Sequence, residues 1–166
     1  NLSIDDRFTS ITVHIKHFTG LRVLERRVMF MTVLLPIDQS REAREAADVA
    51  LNIAKTYQAN LFILAVLEPD ETETGEPPHS EKMTSEEAVQ KLLTEAQAMF
   101  VSAGIEVKTL EREGKPAFTI CDVADEIEAD LIVMGSRGIG LAEGNIADSV
   151  TNRVINLSPC PVLVVP

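Results

Sequence analysis

The sequence predicts an α/β fold in which a five-stranded parallel sheet, doubly wound, carries helices on both faces. Two observations support this prediction. From residue 31 onward, five short apolar runs alternate with four longer segments of helical periodicity, the order expected when each helix crosses between parallel strands. The run at 60–69 is apolar without interruption from Leu61 to Leu67, as in a strand that helices cover on both faces. Right-handed crossovers then wind the chain over both sides of one sheet.

The first half of this alternating body contains two strands and the helix between them. Residues 31–38 (MTVLLPID) have the pattern of a buried strand. Ser40 can cap a helix that extends through Tyr57, because alanine and other apolar side chains recur there at helical spacing. Residues 60–69 (NLFILAVLEP) predict the second strand.

An acidic segment separates the two halves of the body. Residues 68–87 hold eight carboxylates and one lysine together with Pro77 and Pro78, which predicts a solvated loop. A long helix over about residues 83–103 follows it. This helix is expected to end at Gly104, because glycine is the residue type that most often closes a helix.

The second half continues the alternation of strand and helix. Residues 105–111 (IEVKTLE) alternate in polarity, which predicts a strand near an edge of the sheet. Pro116 opens the third helix, because proline is favoured at the first helical position. The remaining elements are a central strand at 130–135, a last helix with Ile146, Val150 and Val154 on one stripe, and a closing strand at 161–166.

Residues 1–30 do not follow this alternation, and we interpret them as an extension of a domain that spans residues 31–166. Two interpretations of the extension remain: a β-hairpin built on residues 11–18 (ITVHIKHF), or a disordered or loosely attached segment. We prefer the second, because a lone hairpin has no third strand to stabilise it. The extension carries a net charge of +2, whereas residues 31–166 carry a net charge of −13.

The acidic body excludes several classes of partner. A net charge of −11 repels nucleic acid and anionic membranes, so neither is expected to bind. The longest clean apolar run, residues 61–67, is too short to cross a bilayer, and no secretory signal is expected. Cys121 and Cys160 form no CxxC pair, which fits a reducing compartment, and we expect a cytoplasmic protein.

Residues 135–149 (GSRGIGLAEGNIADS) join the predicted fourth strand to the last helix and contain a cluster of glycines. Glycine lets main-chain amides point inward together and lets an anion approach them, and a following helix adds unpaired N–H groups. By spacing alone, a tight turn and a phosphate-binding loop are equal alternatives. The segment lacks the lysine of a P-loop and the third glycine of a dinucleotide fingerprint, so efficient ATP hydrolysis is not expected.

The position of a ligand follows from the predicted architecture. Doubly wound sheets bind ligands beyond the carboxyl ends of their strands, at the point where the strand order reverses. The first strand usually flanks that point. We therefore hypothesise that residues 36–38 (PID) and 135–138 (GSRG) meet across one crevice, which requires that the first and fourth strands be neighbours.

Several stretches of the chain resemble the universal stress proteins. The resemblance covers residues 31–166 and implies a Rossmann-like, adenine-nucleotide-binding domain that dimerises through its last strand. One branch of that family binds ATP with the loop pattern G-x2-G-x9-G-S/T and acts mainly as a regulator, without turnover. The stretches that carry the resemblance are VLLPIDQS (33–40), GKPAFTICDVADEIEADLIVMG (114–135), DLIVMGSRG (130–138), DSVTNRV (148–154) and SPCPVLVVP (158–166).

The same resemblance implies a nucleotide site. Pro36 and Asp38 would lie beside the base and ribose, and main-chain groups near Val66 would meet the adenine edge. Ile37 stands where some ATP-binding relatives have a threonine, which removes one hydroxyl contact. Ribose and phosphates would be lined by Met134, Gly135, Arg137 and Gly138, and the outer phosphates by Ser149, Val150 and Thr151.

Asp148 departs from the family pattern, because it replaces the glycine after the nine-residue spacer while Ser149 stays in register. Three interpretations remain. Asp148 caps the last helix in place of a phosphate, or it repels phosphate so that only AMP or no nucleotide binds, or it helps to hold Mg²⁺. Without a cation, two like charges roughly 4 Å apart cost about 4 kcal/mol, so we expect ATP to bind weakly or only with Mg²⁺.

The sequence therefore predicts a regulatory module that binds ATP or AMP and signals by occupancy to an unidentified protein partner. A homodimer through residues 161–166 is expected, because an apolar edge strand is normally paired or covered. Coverage of that edge by residues 1–30 in a monomer is the alternative. Two other functions stay open: a nucleotide-free interaction module with Asp148 in the phosphate site, and slow ATP hydrolysis.

Overall fold

The computed structural model describes residues 30–69, 83–137 and 149–166. The predicted alternation of five strands and four helices is confirmed. Residues 1–29, 70–82 and 138–148 lie outside the described residues, and with them the hairpin hypothesis, most of the acidic loop and most of the glycine cluster. The elements are β1 (Thr32–Pro36), α1 (Arg41–Tyr57), β2 (Asn60–Leu67), α2 (Glu86–Ser102), β3 (Val107–Glu113), α3 (Pro116–Glu126), β4 (Leu131–Gly135), α4 (Val150–Leu157) and β5 (Val162–Val165).

All five strands are parallel and lie in the order β3-β2-β1-β4-β5. The chain runs outward from β1 to β3 on one side, then returns to β4 on the other side of β1. This reversal is the doubly wound arrangement, and it places the carboxyl ends of β1 and β4 side by side. The two edge strands are β3 and β5. The edge position of β3 agrees with the alternating polarity of the third predicted strand.

The sheet separates two hydrophobic cores. The first core lies under α1 and α2 and includes Leu35 and Phe100. The second core lies under α3 and α4 and includes Leu34, Ile132 and Val154. Leu34 and Leu35 are neighbours in β1 yet belong to different cores, because successive side chains of a strand point to opposite faces. Full burial of each such side chain contributes about 1.5–3 kcal/mol, so both helical layers are held firmly on β1.

Capping residues determine where the first two helices begin. The hydroxyl oxygen of Ser40 accepts a hydrogen bond from the N–H of Ala43 at 3.1 Å, so Ser40 caps α1 as predicted. Ser85 is the N-cap of α2, which therefore begins three residues later than the predicted start at residue 83. Among the helices that the structure describes, none is long and apolar enough to span a membrane.

The third strand begins later than predicted, because the turn after α2 extends further along the chain. The N–H groups of Gly104 and Ile105 bond back to carbonyls of the last helical turn at 2.9 and 3.0 Å. This pair of bonds closes a helix on a glycine in the left-handed conformation, and Gly104 has a φ of 82°. Ile105 therefore belongs to the turn, and β3 begins at Val107 instead of residue 105.

Candidate functional site

A crevice opens where the strand order reverses, at the carboxyl ends of β1, β2 and β4. The space between its walls is about 670 Å³, counting the open mouth that faces solvent. The β1 side contributes Pro36, Ile37 and Asp38, and the β4 side contributes Met134, Gly135 and Arg137. The hypothesis that the PID and GSRG segments meet in one crevice is thus confirmed for their described residues.

The structure brings most of the predicted nucleotide residues to this crevice. Ser149 and Thr151 do not line it but lie buried at the adjacent start of α4. Gly138 and Asp148 lie outside the described residues. The predicted residues that line the crevice are Pro36, Ile37, Asp38, Val66, Met134, Gly135, Arg137 and Val150.

Asp38 organises the turn between β1 and α1. Its Oδ1 accepts hydrogen bonds from the Ser40 N–H at 2.9 Å and from the Ser40 hydroxyl. The Ser40 oxygen in turn accepts from the first turn of α1. The carboxylate is therefore held beside a helix N-terminus, where the helix dipole favours a negative charge. One wall of the crevice is a well-defined polar turn that carries an anionic side chain.

Gly135 is enclosed by the main chain of α1. A Cβ atom at this position would lie 2.8 Å from the carbonyl carbon of Glu42 and 3.1 Å from the nitrogen of Ala43. The first turn of α1 therefore packs directly on the end of β4. On its other side, the carbonyl oxygen of Gly135 accepts a hydrogen bond from the buried Thr151 hydroxyl at 2.9 Å. Close packing of three elements thus requires glycine here.

The start of α4 is defined by a polar side-chain cap. Ser149 is the N-cap of this helix, and its hydroxyl oxygen accepts from the N–H of Asn152 at 3.1 Å. The hypothesis that Asp148 takes the place of a phosphate at this helix start stays a prediction, because Asp148 lies outside the described residues. Of the predicted stripe, Val154 is fully buried and Val150 is partly buried, while Ile146 lies outside the described residues.

The hydrogen bonds between β1 and β2 end before the crevice, at the level of Val66 on β2. We call the main-chain N–H and C=O of Val66 that face β1 the open rung. The last bond between the two strands runs from the N–H of Ile37 to the carbonyl of Leu64 at 2.8 Å. Further along β2, the N–H of Glu68 donates to the carbonyl of Met83 at 2.8 Å. Main-chain groups alternate in direction along a strand, so the N–H and C=O of Val66 point toward the gap between these bonds. No hydrogen bond fills this open rung within the described part of the chain.

Several crevice residues were missed by the sequence analysis. Pro116 and Ile120 could have been predicted to line the crevice, because they lie in the first turns of a helix that follows a parallel strand. Such a helix begins at the carboxyl end of the sheet. Met83 carried a weaker signal, as an isolated apolar residue after an acidic segment. The full set consists of Ser40, Ala43, Leu64, Glu68, Met83, Pro116 and Ile120.

The charges that line the described crevice are mixed. Asp38 and Glu68 contribute carboxylates, and Arg137 contributes an exposed guanidinium at the rim. Within residues 30–69, 83–137 and 149–166, no three potential metal ligands come together. The crevice therefore presents hydrogen-bonding groups and both signs of charge to a ligand.

The two cysteines do not line the crevice and pack partly buried against the second core. Burial raises the pKa of the Cys121 thiol, and the neighbouring Asp122 carboxylate raises it further. Burial also raises the pKa of Cys160, although a hydrogen bond from Ser158 opposes this shift. Both thiols stay protonated at neutral pH, which makes them poor nucleophiles. Because folding disfavours the thiolates, their contribution to stability is lost as the pH rises above the ordinary thiol pKa.

Comparison with known proteins agrees with this architecture. The sequence profile of the universal stress protein family matches residues 29–166. The chain is 56% identical over 139 residues to a universal stress protein of Synechocystis sp.. The aligned residues cover 84% of this chain and 87% of that relative.

Two solved structures are similar in fold and sequence. The universal stress protein UspA from Lactobacillus plantarum superposes with a TM-score of 0.69 at 32% identity, over 82% of this chain and 98% of that chain. A universal stress protein crystallised in complex with cAMP superposes with a TM-score of 0.65 at 26% identity, over 83% of this chain and 98% of that chain. Because the family profile covers the whole alternating body, this chain belongs to the universal stress protein family.

Proposed function

We propose that this protein is a regulatory stress-response module that binds an adenine nucleotide in the crevice. The open rung at Val66 carries the proposal. One N–H and one C=O in fixed order complement the Watson–Crick edge of adenine, which presents an acceptor at N1 and a donor at N6. Guanine presents the reverse order at these positions. The cAMP complex of a protein that is 26% identical supports the same ligand class.

The ribose would lie beside the turn that follows β1. The Asp38 carboxylate is held there by two hydrogen bonds to one of its oxygens. A carboxylate offers about four acceptor positions, so it can also receive ribose hydroxyl protons. Ile37 and Pro36 supply the apolar surface next to it. The β1 turn is therefore the proposed sugar contact.

The phosphate would lie at the start of α4, where unpaired N–H groups and the helix dipole attract an anion. The Ser149 oxygen accepts from the helix, and its hydroxyl proton can be donated to a phosphate. Arg137 stands at the rim. Two carboxylates would repel the phosphates: Glu68 lines the crevice, and Asp148 precedes Ser149 in the sequence. We therefore propose that a nucleotide with one phosphate binds directly, whereas ATP requires Mg²⁺.

Calorimetric titration tests this proposal. AMP is expected to bind without a metal, ATP to bind measurably only when Mg²⁺ is present, and GMP to bind much more weakly than AMP. GMP is the matched control, because it has the same phosphate and ribose but the opposite order of edge groups. Equal affinities for AMP and GMP would contradict adenine recognition. Absence of binding by all three would favour a nucleotide-free interaction module, the second candidate that the crevice carboxylates support.

We further propose that β5 forms the interface of a homodimer. The carbonyl of Pro161 accepts from the Ile132 N–H of β4 at 3.0 Å, and that of Val165 accepts from the N–H of the residue after β4 at 2.7 Å. By alternation, the main-chain groups of Val162 and Val164 therefore face the outer edge. Leu163 on this strand is exposed, as are apolar side chains of α4. Antiparallel pairing of two copies would satisfy the edge and cover this apolar surface.

Substitution of Val164 tests the proposed interface. Proline at this position removes one outward N–H and leaves the bonds to β4 intact, so Val164→Pro is expected to yield a folded monomer. Val164→Thr is the control, because it keeps the N–H and the β-branched shape and is expected to remain a dimer. Sedimentation measures the mass of each. A dimer that persists in Val164→Pro would contradict pairing through this strand.

A further inference from the structure

Met83 connects the first core to the crevice. The residue lies in a polar stretch of sequence (EKMTSEE, 81–87), yet its side chain is only 7% exposed. It packs with the residues under α1 and α2, and it also lines the crevice. Its carbonyl accepts the Glu68 N–H at 2.8 Å, which ties its main chain to β2 directly above the open rung. Met83 is therefore held at a defined distance from the groups that face a ligand.

The orientation of a bound base follows from the open rung. Hydrogen bonds of a sheet lie close to the plane of the sheet, so a base that bonds to Val66 extends that plane. Its two faces then point toward the two cores. On the side of the second core, the crevice is lined by the side chains of Val66, Ile120 and Met134. On the side of the first core, the crevice is lined by Met83 and Ile37.

We infer that Met83 is a specificity-determining residue whose side chain covers the base face turned toward the first core, opposite Met134. This inference rests on the proposed nucleotide function and extends it to a residue outside the β1 and β4 turns. A thioether is polarisable and makes favourable contacts with aromatic rings, while its unbranched chain adapts to a flat surface. The contact increases the affinity for a ligand with a planar base and leaves the affinity for a ligand without one unchanged.

Methyl NMR of the full chain tests the contact directly. The chain has five methionines, and the Met83 methyl resonance can be assigned by its loss in Met83→Leu. AMP is expected to move this resonance upfield through the ring current of the base, and ribose 5-phosphate at the same concentration is expected to leave it in place. The methyl of Met99, which is exposed on α2, is the internal control and should not move.

Affinity measurements complete the test. Met83→Ala is expected to weaken AMP binding by up to about tenfold, the range of a lost sulfur–aromatic contact. Met83→Leu keeps the volume of the side chain and its packing in the first core, so AMP affinity should fall by only about threefold or less. If AMP binds the wild type but leaves the Met83 methyl unmoved, or binds Met83→Ala with unchanged affinity, the inference is overturned alone. If AMP does not bind the wild type, the nucleotide proposal fails first.

Discussion

The two ends of the sheet are completed in opposite ways. At the amino end, Oδ2 of Asp130 accepts the N–H groups of Met31 and Thr32 at 2.9 and 3.0 Å, and the Asn60 N–H donates to the Met31 carbonyl at 2.8 Å. The Phe30 and Tyr57 rings pack edge to face beside these bonds, 5.3 Å apart. At the carboxyl end, the ladder stops early and the main chain of Val66 faces a crevice.

If the proposed function is correct, this difference separates stability from binding within one small sheet. A buried N–H or C=O without a partner costs about 1–3 kcal/mol, so an end with paired groups favours the folded state. At the carboxyl end, no hydrogen bond to the Val66 main chain lies within the described residues, and the proposed ligand would supply one. Both ends are built on the same β1 and β4, so the difference arises from how the strands end and not from their composition.

Gly135→Ala is expected to have the largest effect, because it disrupts the packing that holds the carboxyl end together. The added methyl group would collide with the α1 main chain at 2.8 Å, and overpacking of this kind costs about 3 kcal/mol of unfolding free energy. Nucleotide affinity should fall as well, since α1 and β4 both frame the crevice. Urea denaturation measures the loss of stability.

Gly104→Ala provides the control for this substitution. Gly104 has a φ of 82° but no atom within 4 Å of an added Cβ, so alanine costs only the left-handed conformation, about 1 kcal/mol. A Gly135→Ala protein as stable as Gly104→Ala would mean that α1 does not pack closely against β4.

Asp130→Ala is expected to have an intermediate effect, confined to the amino end. It leaves the N–H groups of Met31 and Thr32 without their acceptor, which costs about 2 kcal/mol of unfolding free energy. AMP affinity should not change, because the crevice is at the other end of the sheet. Asp130→Asn keeps an oxygen acceptor and should lose less stability. A drop in AMP affinity in Asp130→Ala would show that the two ends are not independent.

Asp148→Gly is expected to have the smallest effect and acts only on the open end. Removing the charge next to Ser149 should tighten ATP binding about tenfold without Mg²⁺, or about 1.4 kcal/mol, and should change AMP binding less. Asp148→Asn removes the charge but keeps the shape, so it should reproduce most of the gain. Calorimetry with both nucleotides measures these changes. Equal ATP affinity in the wild type and both variants would argue against charge repulsion.

Much of the fold followed from local patterns. The apolar runs identified all five strands, Ser40 identified the start of α1, and Gly104 identified the end of α2. The errors were small and concerned boundaries. The third strand began two residues late because Ile105 belongs to the closing turn of α2. The start of α2 was expected at residue 83 but lies at Glu86, since Ser85 caps that helix.

The candidate site was less predictable than the fold. Residues of the β1 and β4 turns could be named because the glycine cluster and the family resemblance pointed to them. Met83 could not be assigned to the crevice, because a single apolar residue after a long acidic segment has no periodicity. The residue pattern does not reveal the open rung, since the side chain of Val66 resembles every other valine in the strands; only the family resemblance pointed to its main chain.

The sequence by itself determined which segments become strands and helices, which side chains are buried and which family the chain resembles. These properties depend on side-chain periodicity and on residue type, which are local. The tertiary structure alone decided that β4 lies beside β1, that β2 extends past the last bond of β1, and that Met83 lines the same crevice. Main-chain N–H and C=O groups are alike at almost every position, so only the arrangement of neighbouring strands decides which of them stay available for a ligand.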